Sequence, residues 1–161
     1  DHFTDGRNLM IEPGGFRILD TAWQTVVQNT ALTIERIEYD YTGYDGHWIV
    51  ALPDGYTLLS TEGELAFAPQ PSPLAHLGEG LIAAADGSVR SLTGEEVFRL
   101  PEGCRAIRNP LQTTADAPLG GLFCEGYAAV QADTGARLWI GLDGRALHTS
   151  SDFAAYQAWL P

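Results

Sequence analysis

The stretch Leu77–Pro101, LGEGLIAAADGSVRSLTGEEVFRLP, alternates short apolar or β-branched runs with glycine turns. Glu79-Gly80 stands before the run LIAA, Asp86-Gly87 follows it, and Gly94 separates SVRSL from EEVFRLP. Acid-glycine pairs favour hairpins because glycine accepts positive φ without steric cost. Runs this short, punctuated this often, predict the strands of a β meander.

The pattern recurs. LGEG at 77–80 is matched by FTDG at 3–6, GYDG at 43–46 and FCEG at 123–126. After each comes a mainly apolar run ending in a glycine turn: RNLMIEPGG, HWIVALPDG, LIAAADG and YAAVQADTG. The anchoring glycines, Gly6, Gly46, Gly80 and Gly126, are 40, 34 and 46 residues apart. A period in this range marks a repeat architecture, in which no unit buries its apolar face alone. A second glycine turn follows at Gly63, Gly94 and Gly144, leaving room for the strands YTLLS, SVRSL and ARLWIGL, and then for third strands in ELAFAP, EEVFRLP and RALHTS. The first copy lacks that second glycine turn after FRILD. TAWQTVVQNTALTIERIEYDY takes its place, and its β-branched residues predict two strands about Gln28–Thr30.

The expected fold is therefore all-β: one domain over 1–161, built of three-to-four-stranded meander repeats at 3–42, 43–76, 77–122 and 123–161. Closure into a small four-bladed propeller would protect the strand edges, and an open β array is the alternative. The tail SSDFAAYQAWLP predicts one short C-terminal helix, with Ser150 or Ser151 as N-cap and Phe153, Tyr156 and Leu160 on one face.

Charge narrows the partners. A net charge of −12 and a pI near 4.5 disfavour nucleic acid, whose phosphates would meet an opposing field, and suit a basic protein. All nine basic residues are arginine. No apolar run approaches the roughly 18 residues of a membrane helix. The chain opens on Asp1 and reads as a processed or excised piece. Cys104 and Cys124 have neither the number nor the spacing of a zinc site or redox pair, which leaves free thiols or a disulfide between them.

Few residues carry chemistry. Asp5, Asp45, Glu79 and Glu125 hold equivalent places in the four copies, so in a closed ring they could converge as oxygen ligands for a divalent cation. The competing reading makes them turn residues bonded to local amides. The histidines, at 2, 47, 76 and 148, show no paired spacing, and nucleophile-elbow and P-loop patterns are missing, so no enzyme and no organic cofactor are expected. Trp48 and Trp139 lie within apolar strands and suit the core, whereas Trp159 near the chain end is free for a partner. RAIRNPLQTTADAPLGG, Arg105–Gly121, reads as an excursion from the sheets, and its Arg105, Arg108, Asn109 and Gln112 are candidates for recognition.

Phe123–Tyr156, FCEGYAAVQADTGARLWIGLDGRALHTSSDFAAY, resembles the Trp-Gly repeat of bacterial proteins in its F-x-E-G-x-A-x-V opening and its Trp before a glycine turn. LIAAADGSVRSLTGEEVFRL is similar to a β-propeller blade. Both resemblances imply repeats that serve as binding scaffolds, and neither brings a catalytic residue. The expected function is a non-catalytic protein-interaction module, such as an acidic inhibitor or immunity-type protein. A small-ligand or carbohydrate-binding β domain and a hydrolase with a carboxylate site are the alternatives.

Overall fold

Asp5 and Gly6 both take positive φ, 45° and 70°, which is the backbone requirement of a two-residue type I′ hairpin turn. They join β1 (Phe3–Thr4) to β2 (Arg7–Glu12), with Thr4 facing Arg7 across the turn. Glu79 and Gly80, at 53° and 74°, repeat the device between β8 (Leu74–Gly78) and β9 (Leu81–Ala84). These pairs therefore close a hairpin whose first strand precedes them, where the sequence reading had them open each sheet. The short segments before them carry no turn chemistry of their own, which hid their strand character.

The computed structural model describes residues 3–38, 46–100, 102, 104–106, 126–132 and 137–148. Within them the chain is all-β and antiparallel, with no helix. The first sheet has the order β1-β2-β3-β4, with β3 at Gly15–Leu19 and β4 at Thr25–Asn29. β5 (Arg36–Ile37), β6 (His47–Leu52) and β7 (Gly55–Ser60) form the second, so that sheet begins at Arg36. β8 and β9 continue through β10 (Ser88–Ser91) to β11 (Glu96–Arg99) as the third. β12 (Cys104–Ala106), β13 (Tyr127–Ala132), β14 (Arg137–Gly141) and β15 (Ala146–His148) form the fourth. Each is a meander of sequential neighbours. The helix expected in the tail lies outside the described residues.

A second turn is repeated with the same hydrogen bonds. The Asp20 amide donates to the Gln24 carbonyl at 2.9 Å, and the Trp23 amide donates to the Asp20 carbonyl at 3.0 Å. Ser60 with Glu64 and Gly63, and Gly141 with Arg145 and Gly144, repeat both bonds; the Ser91 amide likewise donates to the Glu95 carbonyl. In each turn the fourth residue is left-handed: Trp23 at 60°, Gly63 at 83°, Gly94 at 84° and Gly144 at 76°. This is the three-residue hairpin connection with a left-handed residue at a bulge, and the register shifts at the matching place in three sheets, Ile18/Leu19, Val89/Arg90 and Trp139/Ile140. The first copy thus does possess the second turn. Its position was invisible in sequence because tryptophan stands where the other copies carry glycine.

The third strand expected in ELAFAP does not form. The isolated bridges Tyr56–Gln70 and Leu59–Leu65, and the Ala66 amide donating to the Leu58 carbonyl at 3.0 Å, tie this segment to β7 without a continuous ladder. The Thr57 hydroxyl donates to the Phe67 carbonyl at 2.7 Å, so a side chain serves a group that a ladder would otherwise take, and Pro69 has no amide to donate.

The chain divides into two compact units, Asp1–Leu74 with Leu92–Gly94, and Ala75–Ser91 with Glu95–Pro161. In the first unit Leu9, Phe16 and Ile18 cluster with Ile34, Trp48, Val50, Leu52 and Leu59. Alternate residues of β6, as the period of a strand requires, and Leu59 of β7 supply the second sheet's share. In the second unit Leu77, Leu81, Ala83, Val89 and Ile140 form the core, with Phe98 and Leu100 packed against it.

Candidate functional site

The corner acids were the leading candidates, and two of them lie in the described residues. The Glu79 Oε1 accepts a hydrogen bond from the Gly126 amide at 2.8 Å, reaching the glycine of the next acid-glycine corner but one strand set away. Asp5 lies close over Gly46: a Cβ built on Gly46 would stand 2.7 Å from Asp5 Oδ2. Each acid therefore covers the glycine of the corner that follows it in the chain. A backbone amide is a donor, so Glu79 is engaged through Oε1 as an acceptor within the fold. Among the described residues no group of three or more His, Cys, Asp or Glu is placed to hold a metal ion. Asp45 and Glu125 lie outside them.

The Glu79 contact gives a measurable expectation. Glu79→Ala should lower unfolding free energy by about 1 kcal/mol, the net worth of one such hydrogen bond, while Glu79→Gln, which keeps an acceptor oxygen, should recover most of it. Urea denaturation of the two variants decides this. Equal losses would mean that the carboxylate charge matters and the hydrogen bond does not.

Asp86 shows what an acidic turn residue does elsewhere. Its Oδ1 accepts from the Ser88 amide at 2.9 Å and from the Ser88 hydroxyl at 2.7 Å. These bonds hold its carboxyl below the ordinary range, the backbone contact contributing most.

Of the recognition candidates, Arg105 falls in β12 opposite Gln131, so the segment read as an excursion begins as a strand. Pairing with β13, a partner more than twenty residues later in the chain, supplies ladder bonds that local composition did not announce. Arg108, Asn109, Gln112 and Trp159 lie outside the described residues. Trp48 is buried in the first core, as expected. His47 is half-buried at the start of β6 and His76 is buried in β8.

Trp23 was assigned no role from sequence. It combines a left-handed backbone with 57% exposure, the largest among the exposed apolar side chains described. Asp20 Oδ1 accepts from both the Ala22 and Gln24 amides at 2.9 Å, which fixes the turn that displays it. Aligning the second turns would have found it, since only this copy departs from glycine.

Four arginines among the described residues pair with a nearby carboxylate. Arg17 bonds Glu12, Arg36 bonds Glu38, Arg99 bonds Glu96 and Arg145 bonds Asp143. Arg36 also donates to the Tyr56 hydroxyl at 3.0 Å, and its pKa is raised, chiefly by the hydrogen bond to Glu38.

No family model matches the chain, and no curated protein matches it. Solved structures do. The computationally designed Ika8 protein aligns over 90% of this chain with a TM-score of 0.45 and 12% identity. BamB from Moraxella catarrhalis aligns over 84% with a TM-score of 0.43 and 16% identity. The V. cholerae biofilm matrix protein Bap1 aligns over 88% with a TM-score of 0.36 and 16% identity. The chain spans 45%, 44% and 26% of those three proteins respectively, less than half of each.

Proposed function

We propose that this protein is a non-catalytic interaction module, a series of propeller-type β blades whose acidic surface docks a basic protein partner in the manner of an inhibitor or immunity-type protein. The observation that carries this reading is the uncompensated charge. Twenty-one acidic residues stand against nine arginines, and four of those arginines are already paired to a neighbouring carboxylate. Exposed pairs of this kind add little stability. They do cancel local positive charge, so the field outside the protein is that of the acidic surplus. Such a field speeds encounter with a basic surface and repels acidic ones. Rigid meanders closed by tightly bonded turns present that charge with little ordering cost on binding.

The test is affinity capture with the intact chain at two ionic strengths, followed by titration of the purified partner. A partner of basic pI should bind at low salt and weaken steeply as the Debye length falls from about 30 Å at 0.01 M to about 3 Å at 1 M. Retention that is equal at both would overturn the electrostatic reading.

A further inference from the structure

An aspartyl side chain closes most readily on the next backbone nitrogen when glycine follows, because glycine puts no side chain in the way. Closure needs two groups, the carboxyl and the amide, and a hydrogen bond engaging either one opposes it. Four Asp-Gly pairs lie in the described residues, Asp5-Gly6, Asp54-Gly55, Asp86-Gly87 and Asp143-Gly144, and the fold treats them differently. At two of them both groups are engaged. The Gly87 amide donates to the Ala84 carbonyl at 3.0 Å and the Gly144 amide to the Gly141 carbonyl at 2.9 Å. Asp86 Oδ1 accepts from Ser88, while Asp143 Oδ1 accepts from the Arg145 amide at 3.1 Å and its Oδ2 pairs with the guanidinium. The Asp86 carboxyl, held below the ordinary range, is also less often in the acid form that can lose water.

At Asp54-Gly55 the amide alone is engaged. Tyr56 turns its amide and carbonyl to Gln70, each bond at 2.8 Å, so the preceding residue, Gly55, turns its amide the other way, to its ladder partner Leu52. Asp54 is exposed, and among the described residues no donor engages its carboxylate. Asp5-Gly6 has neither group engaged. These two residues are the centre of their turn, and the turn's own bond runs between the flanking residues, here Arg7 and Thr4. Both are exposed. Asp5 Oδ2 lies close over Gly46 without accepting a hydrogen bond from it, and among the described residues nothing accepts from the Gly6 amide. At the fourth sheet's corner the matching amide, that of Gly126, is held by Glu79.

We propose that Asp5-Gly6 is a site of spontaneous aspartyl isomerisation, a covalent modification that needs only water and is independent of the partner proposed above. The Gly6 nitrogen bonds to Asp5 Cγ, the Cγ–OH bond breaks, and the hydroxyl leaves with the amide proton as water, giving a succinimide ring. Water then opens the ring. Cleavage of the bond from Cγ to nitrogen restores aspartate. Cleavage of the bond from the main-chain carbonyl to nitrogen leaves isoaspartate, with the chain running through Cβ and Cγ and the carboxylate on Cα. Nothing is oxidised or reduced, and the mass returns to its starting value. The product has an extra methylene in the backbone of a two-residue turn, so the pairs Thr4–Arg7 and Phe3–Asn8 cannot both keep their register. β1 consists of Phe3 and Thr4, so the modification loosens that strand from β2.

The test is peptide mapping by mass spectrometry after the full chain has stood for weeks in mildly acidic buffer at body temperature, once folded and once unfolded in urea. Arginine-specific cleavage releases Asp5 on a peptide ending at Arg7 and Asp143 on one ending at Arg145, and backbone fragments place each isoaspartate. In the folded chain isoaspartate should form at Asp5 about tenfold or more faster than at Asp86 or Asp143, the effect of two hydrogen bonds that need not be broken, with Asp54 between them. In urea the four rates should converge. Asp5→Glu, whose longer side chain closes such a ring poorly, should abolish the signal on the first peptide. A signal that survives Asp5→Glu belongs to Asp1 and would overturn the proposal. So would a folded-state rate at Asp5 no greater than at Asp86 and Asp143, or a ranking that persists in urea, since the fold would then not be its cause.

Discussion

Phe16→Ala is expected to lower the unfolding free energy by about 3–5 kcal/mol, the range for truncating a fully buried phenylalanine. Phe16 is 0% exposed and sits in the cluster that joins Leu9 and Ile18 of the first sheet to Trp48, Val50, Leu52 and Leu59 of the second. It also lies 3.5 Å from the place of a Cβ on Gly63, so no open space is available into which neighbours could collapse without moving that turn. Against a total stability of about 5–15 kcal/mol, such a loss removes from about a fifth to all of it. Urea denaturation followed by tryptophan fluorescence should show the midpoint falling, with an unchanged slope if unfolding remains two-state. Met10→Ala, on the neighbouring strand but 38% exposed, is the control and should cost less than about 1 kcal/mol. Equal losses at the two positions would contradict the placement of the first core.

What could be read from the sequence, and what could not, follows from the range of the interactions involved. The acid-glycine corners were legible because a two-residue turn needs positive φ at both positions, and Asp-Gly and Glu-Gly announce it locally. The side of the turn on which the first strand lies was not, since Phe3-Thr4 and Leu74–Gly78 become strands only by pairing with β2 and β9. The second turn was legible wherever glycine holds the left-handed position. At Trp23 it failed, and with it the division of the following residues between β4 of the first sheet and β5 of the second. The equivalence of Asp5, Asp45, Glu79 and Glu125 could be seen in the spacing, but their chemistry could not. That Glu79 bonds the Gly126 amide, 47 residues away, is a tertiary fact. The same holds for Gly63, Gly94 and Gly144, where an added Cβ would stand 2.7 Å from Val27 Cγ1, 2.6 Å from Phe67 Cγ and 2.5 Å from Phe98 Cδ2: the glycines were visible as turns, and nothing local shows that a side chain from another segment covers them.

Gly94→Ala separates those two roles of glycine and is expected to cost about 2–5 kcal/mol, in two parts. The backbone at φ 84° disfavours any L side chain, at about 1–2 kcal/mol. The added methyl would also stand 2.6 Å from Phe67 Cγ and 2.7 Å from Phe67 Cβ. Cβ is carried by the backbone, so rotating the Phe67 ring cannot relieve the second contact and the backbone about Phe67 must itself shift. Forced overpacking of this kind costs about 1–3 kcal/mol. Gly80→Ala provides the comparison, because Gly80 is also left-handed, at 74°, but has nothing within 4 Å of the added Cβ. It should show the backbone cost alone. The double variant Gly94→Ala with Phe67→Ala removes the ring part of the contact while alanine keeps Cβ: Phe67 truncated beside Gly94→Ala should cost less than the sum of the two single changes, by more than the few tenths expected of independent sites. Additive losses, or losses no greater at Gly94 than at Gly80, would mean that the turn is strained but not covered.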